Sequence, residues 1–140
     1  MAGAERLDAF ALMKQFRANE ALLGEALALF VDRPDYGFIW LAYDDGIPAA
    51  CVSVAWAIGT ETGGLVAALR DLWVTPDHRR RGIGTALLAT LHGRLDQLAV
   101  TRIEASLPSD PALQNFFRAR GYTDRNATTV ALARPRASTL

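Results

Sequence analysis

One stretch, residues 69–88, limits the possible folds more than any other. Residues 65–74 are apolar except for Arg70 and Asp71, which suits a strand covered on both faces. Pro76 cannot continue a ladder and ends that strand. From Ile83 the period changes. Ile83, Leu87, Leu91 and Leu95 recur every fourth residue, with Leu88 and Leu98 beside them, and this predicts one face of a helix. Between strand and helix stand Arg79, Arg80, Arg81, Gly82 and Gly84. Glycines permit a tight turn and a close approach to the backbone. The first N–H groups of a helix lack internal partners and lie at the positive end of its dipole. Such a terminus suits a phosphate or pyrophosphate, and three arginines add forked cationic donors.

Two phosphate-binding patterns are excluded. No Gly-Lys-Ser/Thr follows, so this is not a Walker A loop. The dinucleotide fingerprint needs a third glycine where Leu87 stands, and it places its glycines directly after the strand, whereas Thr75 to Arg81 intervene here. What remains is Arg-x-x-Gly-x-Gly after a strand ending Leu72-Trp73-Val74-Thr75-Pro76. This pattern closely resembles the acetyl-CoA-binding motif of the GNAT family of N-acetyltransferases. A glycine turn that merely starts a helix is the simpler alternative, but it leaves the arginines unexplained.

At 140 residues the chain is expected to be one domain, 1–140, with a full core. Hydrophobic residues make up 51% and charged residues 21%, which excludes a disordered chain. No apolar run approaches a membrane span, and the N-terminus has no signal-peptide segment. Cys51 is the sole cysteine, so neither an internal disulfide nor a cysteine metal cluster is expected. These features point to the cytoplasm. The net charge is zero but uneven: residues 1–70 hold 9 acids and 5 bases, residues 71–140 hold 6 and 10. The expected phosphate-binding half is the basic one, and the acidic half suits a cationic acceptor such as an amine. A neutral total with a single lysine points away from nucleic acid.

Residues 4–31 read as two helices, the second capped by Asn19. Phe38 to Tyr43 and Ile47 to Ile58 read as strands joined at Asp44-Asp45-Gly46, and the next strand would complete an antiparallel meander. After the long helix, Thr101 to Leu107 reads as a strand. Asp110 and Pro111 open a last helix, Gly121 closes it, and Thr128 to Ala133 is expected to form a final strand before a frayed tail, 134–140. This order predicts a mixed α/β fold. The resemblance covers roughly residues 38–133. It implies a mixed, mostly antiparallel central sheet flanked by helices, with two central strands splayed around the pantetheine arm of acetyl-CoA. Family members often begin with a strand, and no such strand is legible before the first helix.

The resemblance also implies the site. The backbone of Leu72, Trp73 and Val74 would hydrogen-bond the pantetheine. The backbone from Arg79 through Arg80, Arg81, Gly82, Ile83 and Gly84 to Thr85 would hold the pyrophosphate, aided by the arginine side chains. The general base would be Asp71 or Glu61. A carboxylate in an apolar strand must be paired, hydrogen-bonded or functional, whereas Glu61 lies in a polar turn. The family's usual tyrosine acid, four residues before the last helix's glycine, is Phe117 here, which cannot donate a proton. Asp110 aligns with a family cofactor contact and is also a plain cap. Tyr122 reads as core. His78 and His92 read as turn and helix-surface residues, Cys51 as a buried apolar residue, and Trp40 and Trp56 as core or acceptor lining. The implied activity is acetyl transfer from acetyl-CoA to a small-molecule or peptide amine in a ternary complex, in a protein that resembles frequent homodimers. A non-catalytic acyl-CoA-binding domain, suggested by Phe117, and a nucleotide-binding module are the alternatives.

Overall fold

Backbone hydrogen bonding gathers the three middle strands into the expected meander. A computed structural model describes residues 3–135. Its elements are helices α1 (Gly3–Met13) and α2 (Glu20–Asp32), strands β1 (Gly37–Asp44), β2 (Ile47–Gly59) and β3 (Gly64–Val74), helix α3 (Ile83–Gln97), strand β4 (Arg102–Ala105) and helix α4 (Pro111–Arg118). They divide after Ser106 into two compact units.

The first unit holds a four-stranded mixed sheet in the order β1-β2-β3-β4. The first three strands are antiparallel, and β4 runs parallel to β3. Asp45 (φ 49°) and Gly46 (φ 77°) supply the two left-handed residues that a tight β1–β2 turn requires. Asn19 caps α2 by accepting from the Leu22 N–H at 3.0 Å. Leu41, Cys51 and Trp73 lie in register across the sheet. With Ile39 they form the face on which Ala9, Leu12 and Met13 of α1 and Leu23 and Leu27 of α2 pack. Side chains alternate along a strand, so Ala50, Val52 and Val54 face the other way. They are fully buried, as are Leu88, Leu91 and Leu95 of α3, which packs on β1, β2 and β3.

Two features of β3 prepare the site. The β2–β3 register shifts between Cys51 and Ser53, so Asp71 and Leu72 together oppose Val52. This is a β-bulge, and Asp71 takes the left-handed φ of 57° there. Pairing of β3 with β4 runs only from Val66↔Arg102 to Leu69↔Ala105. From Arg70 to Val74, no strand among the described residues pairs with that edge of β3.

In the second unit, Asp110 caps α4 by accepting from the Ala112 N–H at 3.0 Å and the Leu113 N–H at 3.4 Å. Gly121 has φ 91°, the left-handed stop expected after the helix. Phe117 is 2% exposed and meets the rings of Phe116 and Tyr122 edge-on, at 5.6 and 4.9 Å. The expected strand from Thr128 to Ala133 is not formed. These residues carry no ladder, and Val130 and Leu132 are 87% and 78% exposed. Alternating apolar residues make a strand only where a neighbour takes up their backbone groups, and none among the described residues does so. Most of the expected frayed tail, 136–140, lies outside the described residues, as does any element before Gly3.

Candidate active site

The bulge fixes the acid of β3. Aspartate and asparagine tolerate the left-handed region better than other residues with side chains, so Asp71 suits its backbone as well as its chemistry. Its Oδ2 accepts from Ser53 Oγ at 2.7 Å, and its Oδ1 accepts from Arg17 Nη2 at 2.5 Å. Ser53 stands beside it on β2, and its Oγ also lies 3.1 Å from the Arg70 carbonyl. Arg17 comes from the turn after α1, where its N–H donates to the Met13 carbonyl at 2.9 Å. The Asp71 side chain is 16% exposed. It is therefore half sheltered, held at both oxygens, and reachable.

Glu61 lies at the other end of the same strand. A strand rises about 3.3 Å per residue, so Asp71 stands roughly 20 Å from the turn that carries Glu61. One reaction centre cannot use both. Glu61 is exposed and pairs with Arg102 at 3.5 Å, beside the start of β4.

Below the bulge, β3 presents its backbone alternately to its two edges. Thr75 N–H donates to the Ala49 carbonyl at 2.9 Å, toward β2. By alternation Trp73 also faces β2, whereas Leu72 and Val74 turn their backbones to the edge that β4 leaves uncovered. The Val74 carbonyl accepts from Arg79 Nε at 2.9 Å. The same guanidinium lies 4.5 Å above the Trp73 ring. Trp73 is further fixed by Gln15, which accepts from its indole N–H at 3.0 Å, and by the Phe16 ring at 5.0 Å.

A short 3-10 turn, Pro76–His78, leads into Arg80 (φ 64°) and Gly82 (φ 77°), both left-handed. A left-handed residue directly before a helical one turns successive N–H groups toward one point, a geometry that suits an anion, and Gly82 stands so before Ile83, whereas Arg80 follows the extended Arg79. Gly82 is the N-cap of α3 and has no side chain to fill the space above the first helical N–H groups. A Cβ placed on it would meet nothing within 4 Å. The three arginines differ in what they do. Arg79 turns inward onto β3. Arg81 reaches Asp44 at 3.4 Å. Arg80 is exposed, with no ion pair among the described residues. His78 also belongs to the turn's anchorage, since its Nδ1 lies 2.6 Å from Thr75 Oγ1 and its Nε2 lies 3.4 Å from Asp44. Asp44, the last residue of β1, thus ties the turn to the β1–β2 hairpin.

A glycine-capped helix start with cationic flanks, next to a strand edge that β4 leaves unpaired, offers backbone donors of the kind that take a phosphate. Asp110 and Phe117 sit in the second unit as cap and core. Sequence reasoning missed three residues. Ser53 carried a faint signal, a hydroxyl in an otherwise apolar strand. Arg17 and Asp44 gave none, because their roles depend on which segments the sheet brings together.

Residues 7–122 match the acetyltransferase (GNAT) family, most of the chain and parts of both units. The chain belongs to this family. Solved structures share its fold at low identity. An integron cassette protein from the mobile metagenome of Cole Harbour Salt Marsh is 21% identical, with a TM-score of 0.83 over 96% of this chain and 90% of its own. The ribosomal-protein-alanine N-acetyltransferase of Brucella melitensis biovar Abortus 2308 is 14% identical, with a TM-score of 0.75 over 95% and 96%. An aminoglycoside N-acetyltransferase solved in complex with CoA is 17% identical, with a TM-score of 0.78 over 98% and 92%. No curated protein matches the chain in sequence. No helix among the described residues is long and apolar enough to cross a membrane.

Proposed function

We propose that this GNAT-family protein is an N-acetyltransferase that uses acetyl-CoA and an amine acceptor, with chain 1–140 acting as one catalytic domain. The observation that carries this reading is Asp71. It is a carboxylate on a left-handed bulge, within the stretch of β3 that β4 leaves unpaired and on the strand that leads to the glycine-capped start of α3.

Bound acetyl-CoA would supply the acetyl thioester, and the net exchange converts an ammonium and a thioester into an amide, a thiol and one proton. The N–H groups of Leu72 and Val74 face the side on which the pantetheine and thioester would lie, and a donor aimed at a developing oxyanion is worth about 3–4 kcal/mol. The backbone from Arg79 to Thr85 would hold the pyrophosphate, with Arg80 as the arginine best placed to add its charge. Asp71 would accept the proton of the acceptor's ammonium, and Ser53 keeps the carboxylate aimed. Glu61 is read as a surface partner of Arg102.

The second reading, a non-catalytic acyl-CoA-binding domain, rests on Phe117. That residue is buried against Tyr122 and offers no proton to a leaving thiolate. Thiolates leave without general acid help far more readily than amines, so Phe117 does not preclude turnover.

Calorimetric titration with acetyl-CoA, with NAD and ATP as controls, tests the cofactor. Thiol release over a panel of amines tests transfer. Selective acetyl-CoA binding with amine-dependent thiol release is expected. Binding without release from any amine supports the second reading, and binding of NAD or ATP in preference to acetyl-CoA rejects both.

A further inference from the structure

The acid of the proposed site already holds a cation. Arg17 Nη2 donates to Asp71 Oδ1, so a guanidinium occupies the place that an acceptor's ammonium would take. The two partners are unequally sheltered, with Arg17 56% and Asp71 16% exposed. Only one arm of the guanidinium is used. Arg17 Nε and Nη1 donate to no acceptor among the described residues, while the carboxylate is satisfied at its other oxygen by Ser53. Arg17 also sits in a turn rather than in α1 itself, with its guanidinium 5.2 Å from the Phe16 ring. Its long side chain can swing without moving the sheet.

A contacting carboxylate and guanidinium form a zwitterionic seat. The ligand that matches it without leaving a charge unpaired carries both opposite charges close together. We propose that the acceptor bears a carboxylate beside its amine, as a free amino acid does, and that Arg17 selects it. On binding, the acceptor's ammonium replaces Arg17 on Asp71, and its carboxylate takes the released guanidinium in a two-pronged contact. A polyamine or an amino acid amide would displace Arg17 without offering it a partner, and would bring a cation beside it. This narrows the acceptor left open above, and it rests on the acetyltransferase reading. It also separates free amino acids from protein N-termini and lysines, whose amines have no adjacent carboxylate.

The test is acetyl transfer to free amino acids, each compared with its own carboxamide, and to 1,4-diaminobutane. A site built to bond a substrate group rejects the analogue lacking it strongly, so kcat/KM for the best free acid should exceed that for its carboxamide by about tenfold or more. Arg17→Met should cut this ratio at least about tenfold, mainly by raising KM for the acid, and should improve the diamine. Arg17→Lys, which keeps the charge and loses the fork, should recover part of the ratio. Unchanged acetyl-CoA affinity in both variants shows that the fold and cofactor site survive. Preference of the intact protein for carboxamides or the diamine overturns the proposal, as does an unchanged ratio in Arg17→Met. Transfer without acid preference sinks this inference alone. Absence of transfer to every amine sinks the acetyltransferase reading along with it.

Discussion

Asp71 combines a left-handed backbone with a carboxylate bonded at both oxygens, and this makes its role separable by substitution. Asn tolerates the left-handed φ of 57° and keeps an acceptor for Ser53, so Asp71→Asn should fold normally. It cannot take a proton. We expect kcat to fall by about 10²–10⁴, the range of lost general base catalysis, with acetyl-CoA affinity unchanged by calorimetry. A loss confined to acetyl-CoA affinity would instead make Asp71 a structural residue. Cys51 gives a second, independent readout. Burial, helped by the negative charge of Asp71, pushes its thiol up to about 12. The folded state therefore holds the thiol proton that the unfolded chain releases near pH 8.5, and stability must fall above that pH by up to about 1.4 kcal/mol per unit. Tyr43, bonded to Asp8, and the half-buried Tyr122 are also pushed up to about 12, and they steepen the loss only above their ordinary value of 10.0. In denaturant melts, Cys51→Ala should flatten the slope between pH about 8.5 and 10, whatever it does to stability at neutral pH. The same burial should keep disulfide reagents from reacting with the native protein, so a thiol assay reads CoA rather than Cys51.

At the scale of elements, the glycine turn is where shape and charge can be told apart. Gly82 has open space around it but a φ of 77°. Ala there clashes with nothing and meets only the left-handed penalty, about 1–2 kcal/mol of stability. Glu adds a negative charge at the helix start. Gly82→Ala should therefore keep most acetyl-CoA affinity while lowering the melting temperature, and Gly82→Glu should abolish binding. Equal affinities for the two variants would place the phosphates elsewhere. Asp44→Ala should loosen the turn by removing the partner of both His78 and Arg81, and we expect weaker acetyl-CoA binding with kcat little changed. These elements were largely legible in the sequence because they obey local rules. The apolar repeat at every fourth residue from Ile83 gave α3, Asp45-Gly46 gave the hairpin, and Asp110-Pro111 gave the cap of α4. What was not legible depends on pairing. The bulge at Asp71 exists only against β2, the Arg17 contact only once α1 lies on the sheet, and the strand expected at Thr128 to Ala133 lacked a neighbour. Glu61 and Asp71 were both candidate bases in sequence, and the length of β3 places the turn that carries Glu61 far from Asp71.

For the whole molecule, the uneven charge of the chain predicts how binding should respond to solution conditions. The half that carries the turn is basic, and the proposed ligand ends in phosphates. Part of the attraction is between exposed charges, which salt screens over about 10 Å at 0.1 M. Backbone N–H groups at a helix start are neutral donors fixed in place, and their contribution survives salt better than that of exposed Arg80. Acetyl-CoA affinity should therefore weaken with added salt without vanishing, and Arg80→Ala should flatten that dependence. Binding to the folded state alone also raises stability by mass action, about 2.7 kcal/mol at a hundredfold excess over Kd. For a chain of this size, that corresponds to a rise in melting temperature of roughly 5–10 °C. We expect this shift with acetyl-CoA and CoA, and a clearly smaller one with ATP at equal concentration, because only the pantetheine arm can use the Leu72 and Val74 edge. Equal shifts with ATP would mean that the turn recognises phosphate and that the uncovered edge of β3 contributes nothing. In that case β3 would serve only to deliver the turn, and Asp71 would have no thioester within reach.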